Sequence, residues 1–337
     1  MAEENPSISA RHSKRSRWNY YRRLCEAYLL KGNSHLTFWH GTPQVNFEAT
    51  YDRLGQYYML FEQKANYPGP FDEAGIPLLD YHGSIGKQYN PIAIAQYGLG
   101  NYNWWKRGGS VERRDKFFLV SDWLVENLET NRWGIAVWNH HFNWEYREIL
   151  RSPWYSSLSQ GQGISVLIRA YQVTGADKYL EVCQKAFQAF ELELEEGGVR
   201  HTDEDGNIWL EETIVHPPTH ILNGFIWAIW GIHDYWLYTQ EPAAGRLIER
   251  VNQTLKEQLS TYDSGFWSMY EHSGLRLRML ASSFYHRLHI VQLQVMYQLY
   301  GDPVYKQYAE RWQIYQGRLV NRIRARFGKA LFKLLYY

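Results

Sequence analysis

The sequence predicts a mainly α-helical chain, an (α/α) toroid or barrel with short β-hairpin inserts and an irregular N-terminal region. Three observations lead there. From Ile92 onward, long segments with apolar residues at helical period dominate, and the breaks between them are short. Two of those breaks are alike: "TGADKY" sets Gly175 four residues before Tyr179, and "YGDPVY" sets Gly301 four before Tyr305. Helix, glycine stop, aspartate cap and second helix make one hairpin, and several such hairpins can close into a ring around a central groove. Finally, "GGVRHTDEDGNIWLEET" and "TYDSGFWSMYEHSGLRL" interrupt the pattern with Gly-Asn and Ser-Gly turn signals, as hairpins or loops do at the end of a helical scaffold, where sites usually sit.

Taken in order, residues 1–90 are expected to hold a basic helix followed by loops and short strands packed on the main domain. The stretch "NYPGPFDEAGIPLLDYHGSIGKQYNP" is too rich in Gly, Pro and Asp for anything longer. Residues 91–316 form the toroid. Residues 317–337 read as a basic amphipathic helix, with Leu319, Ile323, Phe327, Leu331 and Leu334 at helical spacing among cations. That pattern fits a helix lying on an anionic membrane surface, and equally a last helix docked on the domain with a solvated basic face.

At 17% aromatic, with 15 Trp and 27 Tyr, the 337-residue chain carries many flat, partly polar side chains that suit either a large helical core or stacking on sugar rings. Two cysteines, Cys25 and Cys183, are too few for a disulfide framework and fit a reducing compartment. "MAEENPSISA" has no apolar core of a leader, and "ILNGFIWAIWGI" is too short to span a bilayer, so a cytoplasmic protein is expected, peripheral at the inner membrane face if the basic ends bind lipid. The net charge of +1 hides an asymmetry. Residues 11–23 and 318–337 hold twelve of the 36 Lys and Arg and no acid, which leaves 24 basic against 35 acidic residues elsewhere, net −11. Basic ends on an acidic body could anchor at a membrane or steer a polyanion, whereas nucleic acid is not expected.

Within "FYHRLHIVQLQVM", Tyr285, His289 and Gln292 share one face at i, i+4 and i+7, with His286 beside them. A phenol among imidazoles is either a proton-handling cluster or a set of packed core groups. The adjacent acids Glu211 and Glu212, between aromatic and apolar neighbours, are either a poised acid/base or a surface pair. His140 and His141 lack further ligand spacing, so no metal is expected. Phosphate-cradling, dinucleotide, GxSxG and CxxC motifs are absent, which removes the common nucleotide and acyl-transfer chemistries.

Five segments in order carry a family likeness: "NPIAIAQYGLGNY", "WYSSLSQGQGISVLIRAY", "WLEET" followed by "HILNGF", "YDSGFWSMYEH" and "YHRLHIVQLQ". Together they resemble the C-terminal catalytic domain of the D-glucuronyl C5-epimerases over roughly Asn90 to Trp312. The resemblance implies an (α/α) toroid acting on glucuronic acid in a heparosan or heparan sulfate precursor chain, with no cofactor. It puts Glu212 on the family's catalytic glutamate, Tyr285 on its catalytic tyrosine across the sugar carbon, and Tyr270 on a second active-site tyrosine. It implies substrate contacts from Glu211, His286, His289, Gln96, Tyr97, Gln160, Gln162 and Asn223. The chain departs from the family at Thr213, where a tyrosine is usual, and at Ser273 and Ser282, where arginines are. Arg276 and Arg278, in a shortened loop, would then neutralise the substrate carboxylate. The β-rich N-terminal module of the animal enzymes is not expected.

The chemistry such a site needs is proton removal α to a carboxylate and reprotonation from the opposite face, hence two acid/base groups and nearby cations. The same first step also begins polysaccharide β-elimination, and a toroid without the usual arginines could be a non-catalytic polysaccharide binder, so those readings stand beside epimerisation. An acidic polysaccharide is the expected partner, and a homodimer is expected because grooved toroids often pair.

Overall fold

The computed structural model describes residues 38–39 and 41–336. The predicted basic helix around residues 11–23 and Cys25 lie outside them. Four helical hairpins follow one another: α1 (Pro91–Gly108) with α2 (Val111–Glu126), α3 (Ser157–Thr174) with α4 (Asp177–Glu191), α5 (Leu222–Thr239) with α6 (Pro242–Gln258), and α7 (Ser283–Tyr300) with α8 (Pro303–Gly317). A final helix, α9 (Leu319–Tyr336), packs against α7 and α8.

Sequence decides which helix goes inside. α1, α3 and α5 are buried on every side over their first three to four turns, as in the unbroken stretch Leu222 to Tyr235. α4 instead buries one stripe that includes Tyr179, Cys183, Ala186 and Phe190, so it covers the ring from outside. A helix apolar all round must be enclosed, whereas an amphipathic one has a face for water. The inner helices come very close: a Cβ on Gly231 of α5 would stand 2.2 Å from the Gly161 carbonyl oxygen of α3. Only glycine permits that approach.

A buried ion pair ties the ring to the N-terminal region. Arg169 of α3 donates to both carboxylate oxygens of Asp234 on α5, at 2.6 and 3.0 Å, and Tyr58 donates to the same carboxylate at 2.7 Å. Both charged side chains are fully enclosed. Neutralising one partner strands the other, so Asp234→Asn is expected to lower unfolding free energy by about 3–5 kcal/mol. A urea midpoint equal to wild type would refute this.

The glycine stops fall where expected, with left-handed Gly175 (φ 65°) ending α3 and Gly301 (φ 69°) ending α7. The aspartates differ. Asp302 caps α8 by accepting from the Val304 N–H, whereas Ala176 occupies the equivalent cap of α4 and Asp177 is already inside the helix. The first predicted insert forms a hairpin, Arg200–Thr202 paired with Ile208–Leu210. The second does not: its residues make only isolated bridges, Asp263 with Ser268 and Met269 with Leu280. Two further two-residue ladders, Glu129–Thr130 with Ala136–Val137 and Trp144–Glu145 with Ile149–Leu150, lie in the α2–α3 connection and had no sequence signal long enough to mark them. No helix among the described residues is long and apolar enough to cross a membrane.

Candidate active site

The N-terminal part of α5 packs against α7. Ser282 caps α7 by accepting from the Tyr285 N–H at 3.2 Å, which fixes Tyr285 in the first turn, partly open to solvent. Tyr270 stands edge-on to the Tyr285 ring, centroids 4.8 Å apart. The Tyr270 carbonyl accepts from the N–H of Leu222, the first residue of α5, at 3.2 Å. The next residue, Asn223, donates to Glu212 Oε2 at 3.1 Å, and its own carbonyl accepts from Gln292 of α7 at 2.9 Å. Glu212, Tyr270 and Tyr285 are therefore linked by two hydrogen bonds through Leu222 and Asn223 and by one ring contact.

Glu212 fits there because Gly224 has no side chain: a Cβ would lie 2.2 Å from Oε2. Desolvation raises its pKa to about 8; the Glu211 charge adds to the rise and the Asn223 bond opposes it. Glu211 does a different job from the expected substrate contact. Fully buried, it binds His220 Nδ1 at 2.5 Å and accepts from the N–H groups of Thr219 and His220, bracing the loop between Glu212 and α5.

The histidines are a correction. His286 is fully buried and stacks on Trp267 at 3.7 Å; its Nδ1 accepts from the Ser268 N–H at 3.1 Å and its Nε2–H donates to the Trp312 carbonyl at 3.0 Å. Burial takes its pKa down to about 4 and that of His289 well below the usual imidazole value. Both rings stay neutral in the working range, so neither supplies a cation to Tyr285, and His286 has no nitrogen left for a sugar. His289 Nδ1 meets Ser268 Oγ at 3.0 Å, while its buried Nε2 has no partner among the described residues.

The cations are elsewhere than the sequence suggests. Arg276 and Arg278 are exposed on the loop after Tyr270. Lys329, from α9, comes inward instead: its ammonium sits 4.9 Å from the Tyr270 ring centroid and donates to the Leu280 carbonyl at 3.2 Å. Desolvation, then the neighbouring Lys333 charge, brings its pKa down to about 7, with Glu271 opposing. Glu271 accepts from the Tyr146 hydroxyl, and its carboxyl is pushed up by burial while Arg147 and Lys329 pull it down. Glu271 Oε1, Arg147 Nη1 and Asn223 Oδ1 are buried without partners among the described residues, as polar groups arranged to receive a ligand are. Lys329, Glu271 and Arg147 were not singled out from sequence. The available signals were Glu271 directly after Tyr270, and Ala325, Lys329 and Phe332 on one side of α9 at i, i+4 and i+7.

Four more expected contacts are core residues. Gln160 accepts from the Trp138 N–H and donates to the carbonyls of Ala136 and Ala186, which commits its whole amide to backbone. Gln96 donates to Gln162 at 3.0 Å between α1 and α3, both fully enclosed. Tyr97 is 2% exposed and packs on Phe71. These four side chains are enclosed between packed elements, and periodicity does not reveal depth. His140 stacks on Trp154, while His141 turns to Glu129 at 2.7 Å, so the adjacent imidazoles do not converge.

The paired inner and outer helices define an (α/α) toroid. Among solved structures it is similar in fold to cellobiose 2-epimerase from Bacillus thermoamylovorans, with TM-score 0.54 and 13% identity over 89% of this chain and 87% of that one. Cellobiose 2-epimerase from Spirochaeta thermophila gives 0.51 and 12% over 87% and 83%. The sequence is more specific: residues 130–314 match the D-glucuronyl C5-epimerase C-terminus, and the chain belongs to that family. A Caenorhabditis elegans D-glucuronyl C5-epimerase is 31% identical over 221 residues, 60% of this chain and 36% of that protein. An uncharacterized protein of Methanocaldococcus jannaschii is 29% identical over 58% of this chain and 64% of its own length, so the chain spans less than two thirds of either relative.

Proposed function

We propose that the protein epimerises D-glucuronate to L-iduronate at C5 within a heparosan-like acidic polysaccharide, using Glu212 and Tyr285 as the two acid/base groups. The observation that carries the reading is the Glu212 carboxyl, raised to about 8 and linked through Asn223 and Leu222 to the Tyr270–Tyr285 ring pair. A carboxylate of that basicity removes a C–H proton near neutral pH far better than an ordinary glutamate would. Removing the C5 proton leaves an enediolate on the substrate carboxylate. Returning a proton to C5 from the face opposite the base inverts the centre. Each group acts as base in one direction and acid in the other, so no cofactor enters the cycle.

Lys329 is the group placed to take the carboxylate charge. Among the described residues Glu271 acts on it without an ion pair, which leaves its ammonium available to a second anion. Lys329→Met should lower kcat/KM by about 10- to 100-fold, as expected for a lost charge-assisted bond, while Lys329→Arg recovers part of it. Equal kinetics in both variants and wild type would remove Lys329 from the site.

Proton NMR of heparosan incubated with the protein in deuterium oxide tests the function directly. Deuterium at C5 together with iduronate signals is the expected result. A product absorbing in the near ultraviolet, from a new 4,5 double bond, would make the protein a lyase. Polymer binding without exchange on any uronate chain would make it a binding protein.

A further inference from the structure

α9 has two apolar sides, and only one of them is used. Asn321, Ala325 and Phe332 are buried against the body. At about 100° per residue, Leu319, Val320, Ile323, Phe327, Leu331, Leu334 and Leu335 occupy a sector roughly 160° wide on the opposite side. These seven are among the fifteen large apolar side chains exposed in the described residues, and Phe327, near the centre of the sector, is 73% exposed. Ile314 of α8 is exposed as well. Soluble surfaces scatter such side chains singly, so a contiguous stripe marks an interaction surface.

Cations accompany it. Exposed Arg322 and Arg326 flank the sector on one side and exposed Arg324 lies within it, on a helix that contains no acid. Arg324 lies over the Phe266 ring at 4.0 Å, so that cation is partly anchored to the body. A second copy docking isologously would present the same acid-free helix to these arginines, because a two-fold interface uses the same patch on both subunits. An anionic lipid surface complements both features: headgroups meet the arginines and acyl chains take the Leu, Ile and Phe side chains.

We infer that the outward face of α9 docks the protein peripherally on an anionic lipid bilayer. The stripe lies flat and the arginines sit at headgroup level. α9 thereby joins the membrane on its outer side to the site on its inner side, since Lys329 points inward from the same helix. The polysaccharide site is held beside the bilayer rather than free in solution.

Flotation of the full-length protein with phosphatidylcholine vesicles, with and without phosphatidylglycerol, tests this. Phe327→Glu/Leu331→Glu and Arg322→Glu/Arg326→Glu are run beside wild type, with circular dichroism and size-exclusion light scattering on each. Wild type should float only with phosphatidylglycerol vesicles and release in high salt. Each double variant should bind at least about tenfold more weakly with an unchanged helical spectrum. Flotation unaffected by the substitutions would overturn the inference and assign any lipid binding to other residues, such as the basic run at 11–23. A wild-type dimer that Phe327→Glu/Leu331→Glu dissociates, without vesicle binding, would overturn it in favour of a second copy. These readouts need no turnover, so failure here is distinct from failure of the epimerase reading.

Discussion

Glu212→Gln should abolish inversion at C5, with a loss of about 10²–10⁴ in rate, the usual cost of removing a positioned acid/base group. Glutamine keeps the length and an oxygen that can still accept from Asn223, so the site should retain its shape. The pH profile of wild type follows from the same group. In the direction where Glu212 is the base, the rate should rise with pH and level off near its raised pKa of about 8; in the reverse direction, where it delivers the proton, the rate should fall over that range. Activity that rises through the ordinary carboxylate range instead would show that another group is the base.

The substitution also has a stability signature. The folded state holds a proton on Glu212 that the unfolded chain has already lost between its ordinary value and about 8, so wild-type stability falls as pH rises across that window. Glu212→Gln cannot ionise and escapes this loss. The variant should melt above wild type at pH 8, and the difference should vanish near pH 4. A variant that melts below wild type at pH 8 but matches it near pH 4 would mean that the carboxylate is stabilised in the fold, contrary to its desolvated position.

Tyr285→Phe is expected to lose inversion to a similar degree, about 10²–10⁴, while the Tyr270 edge-to-face packing that phenylalanine can also make should preserve the fold. Two-base chemistry makes a further demand. The group that remains can still remove the proton from one epimer and return one to the same face, so each variant should exchange deuterium into one epimer without inverting it. The epimer that retains exchange should be opposite in Glu212→Gln and Tyr285→Phe. Supplying glucuronate-rich and iduronate-rich chains separately in deuterium oxide reads this out. The same epimer retaining exchange in both variants would mean that one group serves both faces.

Much of the fold was legible because helical periodicity is written into adjacent residues. Most of the inner helices carry long apolar runs, and the glycine stops at Gly175 and Gly301 need left-handed backbone that few other residues tolerate. The second insert is the loop alternative rather than a hairpin ladder: its turn signals are real, but besides a few bonds within itself its backbone bonds to α5 and to the loop before α7. Glu212, Tyr270 and Tyr285 stand out in sequence, each beside another titratable group. Gln96, Tyr97, Gln160 and Gln162 lie in segments with the same family likeness yet face the packed interior, a distinction of depth that spacing along one helix does not encode.

By itself the sequence determined the helical hairpins, the family, and the acid and tyrosines around which the site is built. Tertiary structure alone decided their electrostatics. Glu212 is made basic by its desolvated position beside Gly224, the pKa values of His286 and His289 are lowered by burial, and a cation from α9 is brought to Tyr270 across 59 residues of sequence. Charge state depends on what surrounds a group in three dimensions, and those neighbours come from distant parts of the chain.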